Sequence, residues 1–301
     1  FFDGKGILYH LNGMGREGVE GWAELALLLR TSADNGLTWT PARPISSGDQ
    51  YTNRHQVIAG TLLTESGVLI QLCDAVPGGN GGTALHISQD NGLTWVDPGH
   101  EKSPPVFEQD SVGQGTIAGI HASVVDLKSG NLMAFGRGDT IKARMPMSIS
   151  SDMGKTCTYS ASPFPPIGTG QRLVLRRLRE GPLLLVSFTE SGTRNGRNPS
   201  QGMEFADING RSFTGYGMYA ALSFDEGQTW PIRKLLTPGK GDYDGGGNTG
   251  KFTATPTHAE PGGYLAATQT PDGIIHLISS RLYYRFNLKW LQTPAIPIPA
   301  D

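Results

Sequence analysis

The sequence predicts an all-β propeller, a single domain over 1–301 in which five four-stranded units are visible. Three observations predict it. A short motif, Ser-x-Asp-x-Gly-x-Thr-Trp, occurs three times in full and once with one change. A small-residue turn followed by an apolar strand occurs five times. No segment of ten or more residues keeps a helical apolar period without Gly or Pro. A four-stranded unit repeating every ~50–60 residues reads as a propeller blade, since such repeats typically run ~40–50 residues.

The full copies of the motif are Ser32-Asp34-Gly36-Thr38-Trp39, Ser88-Asp90-Gly92-Thr94-Trp95 and Ser223-Asp225-Gly227-Thr229-Trp230. The near-match is Ser150-Asp152-Gly154-Thr156, with Cys157 in the Trp position. The four aspartates are separated by 56, 62 and 73 residues. Apolar segments such as Leu25 to Leu29, Ala84 to Ile87 and Met218 to Leu222 precede the copies and read as strands. The Asp can accept hydrogen bonds from N–H groups of its own turn, and the Gly supplies a left-handed position. The Trp packs under the turn, its indole N–H needing a partner. Each copy is therefore expected to be a structural strand-to-strand turn, with all four on one face.

The second signal is Asp3-Gly4 before Ile7-Leu8-Tyr9, Ser66-Gly67 before Val68-Leu69-Ile70, and Ser129-Gly130 before Leu132-Met133-Ala134. It recurs as Glu180-Gly181 before Leu183-Leu184-Leu185 and Asp272-Gly273 before Ile274-Ile275-His276. Turns of this kind join antiparallel strands. The fifth unit has no copy of the longer motif. The chain opens at Phe1-Phe2, already at a turn. The first blade is thus expected to borrow a C-terminal strand or to have lost upstream residues, and truncation is the favoured expectation.

Composition narrows the function. A chain of 301 residues is long enough for a large core. Charged residues at 17%, with 42 Gly and 20 Pro, suit many strands with tight turns. A net charge of −2 argues for neither nucleic acid nor an anionic membrane. No apolar run reaches the ~18 residues that span a bilayer. Cys73 and Cys157 fall in different expected blades, so neither a disulfide nor a metal site is expected. The Gly-rich stretches 77–82 and 244–248 read as loops, far from any strand-to-helix step that would cradle phosphate. The longest irregular segment expected is 190–213, and loops of that length on a rigid scaffold usually carry binding residues.

Propeller sites form where inner strands converge, so polar residues on or beside those strands are the candidates. They are Arg54, His55 and Asp74 in the second unit, and His121, Arg137, Asp139 and Arg144 in the third. The fourth offers Arg172, Glu190, Arg194 and Arg197, and the last His258, Glu260 and Tyr264. Charges in such a funnel need partners. An excess of arginines predicts an anionic ligand, because the guanidinium fork matches a carboxylate.

The repeated motif resembles the Asp box of the sialidase superfamily and related BNR-repeat proteins. The box marks that lineage and not its catalysis. The resemblance implies a sialidase-like β-propeller, with six blades expected where five are visible. It also implies a Tyr nucleophile activated by a Glu, an Asp acid/base, and three arginines on the sialate carboxylate. The stretch from Gly263 to Gly273 makes Tyr264 the counterpart of the nucleophile. The strand from Asn131 to Arg137 makes Arg137 the counterpart of the second arginine. The stretch from Glu17 to Leu25 makes Glu20 the carboxylate nearest the expected acid/base. Where the partner of the Tyr is expected, the chain has His121. The first arginine belongs upstream of the first turn, and Arg211 or Arg194 would serve as the third.

The function implied is a sialidase-like glycoside hydrolase acting on an acidic sugar, sialyl or uronyl, of glycans. No cofactor and no metal are implied. The expected partner is a carbohydrate, an anionic one in view of the arginines, with no nucleic acid and no membrane span. Catalytic candidates are Tyr264, Glu20 and His121. Substrate-binding candidates are Arg137, Arg54, His55, Asp74, Arg172, Glu190 and Arg211. The set His121, Arg137, His55 and Arg54 better suits a propeller polysaccharide lyase or uronate-directed glycosidase. A non-catalytic glycan-binding propeller is the third reading. Arg137, His121 and Tyr264 are expected to meet at the funnel mouth, on the face opposite the Asp boxes.

Overall fold

The computed structural model describes residues 1–15, 17–18, 24–45, 51–58, 60–75, 81–191, 200–247 and 249–295. The chain divides into two compact units, 1–142 with 146–162, and 143–145 with 163–301.

The first unit holds three blades. In the first, Leu8–Gly15 pairs with Leu25–Ser32, which also carries Arg43–Pro44 and Tyr51–Thr52. Phe1 and Phe2 fold back onto this blade. Phe2 bridges Leu8, and the Tyr9 N–H donates to the Phe1 carbonyl at 2.7 Å. In the second, Leu69–Asp74 and Thr83–Ser88 are buried along their whole length. The third runs Ile120–Asp126, Leu132–Arg137, Pro146–Ser150, Thr156–Ala161 and Val112–Gln114, all antiparallel. Ile70, Leu72, Leu85 and Ile87 of the second blade pack on Val124, Leu132, Ala134 and Tyr159 of the third. Cys157 lies in this cluster, and burial pushes its thiol up to about 12. It fills the Trp position as a packing group.

The second unit holds two blades. The fourth blade is Val174–Arg177, Leu183–Phe188, Met218–Ser223 and Ile232–Leu235. The fifth is Ala266–Gln269, Ile274–Ile278 and Tyr283–Asn287, three strands among the described residues where four were expected. The cause is local. Asn287 caps a short helix, Leu288–Gln292, its side chain accepting the Trp290 N–H at 2.9 Å. The chain therefore turns into a helix where the other blades carry an Asp box. The segment 190–213, expected to be irregular, contains the strand Met203–Ala206 and the start of Ser212–Gly215, its hairpin partner.

The four Asp boxes repeat one hydrogen-bonding pattern. Ser Oγ donates to the Asp carboxylate and accepts the Gly N–H, and the Asp accepts from the Thr N–H and hydroxyl. The residue before each Gly is left-handed too: Asn35, Asn91, Met153 and Glu226 have φ between 57° and 59°. Two consecutive left-handed residues make the turn that matches strand twist. The indoles of Trp39, Trp95 and Trp230 donate to the carbonyls of Gly36, Gly92 and Gly227 at 3.0, 3.1 and 3.2 Å. Hydrogen bonds from Thr and Ser hold the Asp34 and Asp90 carboxylates down at about 2. A lowered carboxylate stabilises the fold above its ordinary value, near 3.8, and that contribution is lost as pH falls through about 2. Ser223 is buried and bonded to both Asp225 and Gly227. Ser223→Ala is expected to lower the unfolding free energy by roughly 2 kcal/mol in urea titration. An unchanged midpoint would contradict this role for the serine.

Register fixes what lies at the far end of each ladder. The box serines Ser32, Ser88, Ser150 and Ser223 pair with Leu8, Leu69, Leu132 and Leu183. At the opposite ends stand Asp74 with Thr83, Ile120 with Arg137, and Phe188 with Met218.

Candidate active site at the ends of the blades

In the first unit the site grows from two strand ends. Asp74 closes its strand, and His121 follows Ile120 at the start of the next blade. The ladder between Ile120–Asp126 and Leu132–Arg137 shifts register between Ile120 and Ser123. His121 sits in that irregularity with a left-handed φ of 52°. Glycines make the tight approach possible. A Cβ on Gly136 would stand 2.1 Å from the Ala118 carbonyl oxygen, and one on Gly119 would stand 2.9 Å from the Arg137 N and O.

Asp74 then grips His121 twice. Its Oδ1 accepts the His121 backbone N–H at 2.7 Å, and its Oδ2 lies 2.8 Å from the ring Nδ1. Thr83 steadies the junction, donating to the Gly119 carbonyl at 2.9 Å and accepting the Ala122 N–H at 3.3 Å. Asp74, His121 and Arg137 are 1%, 7% and 8% exposed. The Nδ1–Oδ2 approach lies outside hydrogen-bond geometry, so Asp74 acts on the ring through its charge, which favours a proton on Nδ1 and leaves Nε2 as the basic atom. Two residues beyond Arg137, Asp139 has a left-handed φ of 44°. Its Oδ2 is buried and has no hydrogen-bond partner among the described residues, and burial raises the carboxyl to about 6. Left-handed residues other than Gly are sparsely populated and cluster at functional sites.

Arg54 and His55 have other occupations. Arg54 holds Asp97 through Nε and a terminal nitrogen at 2.6 and 2.8 Å, and also donates to the Gly115 carbonyl at 2.9 Å. His55 Nδ1 lies 3.0 Å from the Leu25 carbonyl oxygen, and its ring is 5.0 Å from His86. Burial pushes His86 down to about 4 and keeps it neutral. These groups tie the first two blades together.

In the second unit, Gln171–Arg172 pairs in parallel with Gly263–Tyr264. Arg172 stands opposite Tyr264, its guanidinium 4.9 Å from the ring centroid. Glu190 accepts the N–H groups of Ser200 and Gln201 and the Ser200 hydroxyl, so it anchors its own loop. Glu260 is fully buried and accepts the hydroxyls of Ser279 at 2.6 Å and Tyr284 at 2.7 Å. Burial raises its carboxyl to about 7. Burial and the adjacent Glu260 raise the Tyr284 phenol in turn.

Residues 8–277 match the family described as the BNR repeat-like domain. The chain belongs to this family. Solved structures share its architecture. The intramolecular trans-sialidase of Ruminococcus gnavus, in complex with oseltamivir carboxylate, is 17% identical with a TM-score of 0.50, over 89% of this chain and 52% of that one. The NanB sialidase of Streptococcus pneumoniae is 15% identical with a TM-score of 0.56, over 88% and 36%. The leech intramolecular trans-sialidase complexed with 2,7-anhydro-Neu5Ac is 16% identical with a TM-score of 0.51, over 89% and 37%. The chain thus spans about half or less of the length of these proteins. At such identities the likeness shows the fold, a sialidase-like β-propeller. No curated protein matches the sequence.

This BNR-repeat propeller places the remaining candidates as follows. Arg137 and His121 lie at one end of the third blade, while Tyr264 belongs to the second unit. Arg211 is exposed in the turn of its hairpin, its N–H donated to Asp207 at 2.9 Å. Arg144 is exposed, and His258 stacks on Tyr216 at 4.6 Å. Glu20, Arg194 and Arg197 lie outside the described residues. Among the described residues no group of three His, Cys, Asp or Glu side chains could hold a metal. No helix among them is long and apolar enough to cross a membrane. Sequence reasoning missed Tyr284, which no motif marks.

Proposed function

We propose that this protein cleaves glycans at a uronic acid residue, with His121 as the base. The hold of Asp74 on His121 carries the reading, because it pins the backbone of His121 and sets a carboxylate 2.8 Å from Nδ1, leaving Nε2 to act as the base. Arg137 takes the sugar carboxylate with its planar fork. That pairing favours removal of the proton on the adjacent carbon, C5. His121 Nε2 accepts this proton, the C4–O bond breaks as a C4=C5 double bond forms, and Asp139 protonates the leaving oxygen. An acid held near 6 in a desolvated position suits that last role.

A second reading, tyrosine-nucleophile hydrolysis of a sialyl residue, is favoured by the Tyr284–Glu260 pair. Of the three solved structures named above, one is a sialidase and two are intramolecular trans-sialidases. The test is a screen on uronate polysaccharides and sialyl glycosides, reading both new reducing ends and new conjugated double bonds. Cleavage of a uronate polymer with double-bond formation is expected. Release of sialic acid with no action on uronates would overturn the first reading for the second.

A further inference from the structure

A groove of about 540 Å³ lies on the first unit at the Asp-box end of its second and third blades. Its apolar floor includes Ile87 and Val96, which bridge each other, and Val96 is 63% exposed. Gln89 and Gln114 supply amides, and Lys102 and Lys155 supply cations. Gln89 lies between Ser88 and Asp90 of one box, and Lys155 between Gly154 and Thr156 of the next. The first box has Ala33 and Leu37 at these two positions. The turn itself therefore asks for neither polar head, since Ser, Asp, Gly and Thr make its hydrogen bonds. Among the described residues neither lysine has an ion-pair partner, and neither glutamine side chain has a hydrogen bond. The box carboxylates, Asp90 and Asp152, are turned into their own loops.

We propose that this groove binds a segment of an acidic glycan, carboxylated or sulfated. The apolar floor receives the C–H face of a sugar ring, the amides its hydroxyls, and the two ammonium groups its anionic substituents. The volume falls within the roughly 300–1,000 Å³ of ligand sites. The groove lies at the ladder ends opposite His121 and Arg137, so it holds polymer and takes no part in bond cleavage. The acidic-glycan class rests on the functional reading above, whereas the groove's own charge does not.

The test is affinity electrophoresis of the full chain through gels containing polygalacturonate, dextran sulfate or neutral dextran. The proteins compared are the wild type, the double variant Lys102→Gln with Lys155→Gln, and Arg137→Ala. Either acidic polymer is expected to retard wild type and Arg137→Ala alike. The double variant should lose at least about tenfold in affinity, consistent with two charge-assisted contacts. It should keep wild-type turnover of a short uronyl substrate. Which acidic polymer retards the protein identifies the anionic group. Equal retardation of wild type and double variant would overturn the proposal. So would loss of retention in Arg137→Ala, or equal retardation by neutral dextran. If no uronate is ever cleaved, the functional reading fails while the electrophoresis still decides the groove.

Discussion

Asp74→Asn is expected to lower turnover of a uronyl substrate about 10²–10⁴-fold, the range of general acid–base contributions. Asn keeps an oxygen for the His121 backbone N–H, so the bulge that places His121 can persist. It replaces the second oxygen with an NH₂ group that cannot accept from the ring. The imidazole then favours the other tautomer, and Nε2 carries a proton where it should accept one. Steady-state kcat checks this, with near-UV circular dichroism showing that the first unit is still folded. Wild-type turnover in a folded Asp74→Asn protein would remove the dyad from the mechanism.

Glu260 governs the second large effect, on stability. Its folded value, about 7, stands above the ordinary 4.5. The folded state therefore holds this proton more tightly than the unfolded state. Its stabilisation is complete below about 4.5 and is lost as pH rises through about 7. Full ionisation costs on the order of 3 kcal/mol. Glu260→Gln removes the titration and keeps an oxygen for the Ser279 and Tyr284 hydroxyls, either of which can also turn to accept. Urea unfolding between pH 5 and 8 should show wild type weakening more steeply with rising pH than Glu260→Gln, in which Asp139 still titrates. A flat wild-type profile would show that the carboxylate ionises without strain.

The boxes were legible because all their bonds close within eight consecutive residues. Five units were legible for the same reason, each turn being a local signal. The three-stranded fifth blade was not, because Asn287 reads as an ordinary polar residue until it caps a helix. At the site, Arg137 and His121 were legible as polar residues at strand ends. The Asp74–His121 contact was not, since it joins residues on neighbouring blades through a bulge at His121, beside the close approach of Gly119 and Gly136. Arg54 looked available because Asp97, which engages it, lies far along the chain. The Tyr–carboxylate pair formed at Tyr284 for a like reason: Glu260 lies 24 residues earlier, with three strands between them.

The most direct test is kcat on one acidic substrate for His121→Gln and Tyr284→Phe, measured side by side. His121→Gln removes the basic nitrogen. Tyr284→Phe deletes only the hydroxyl that donates to Glu260. His121→Gln is expected to lose at least about 10²-fold, and Tyr284→Phe to stay close to wild type. Retained turnover in His121→Gln together with its loss in Tyr284→Phe would contradict the proposed role of His121.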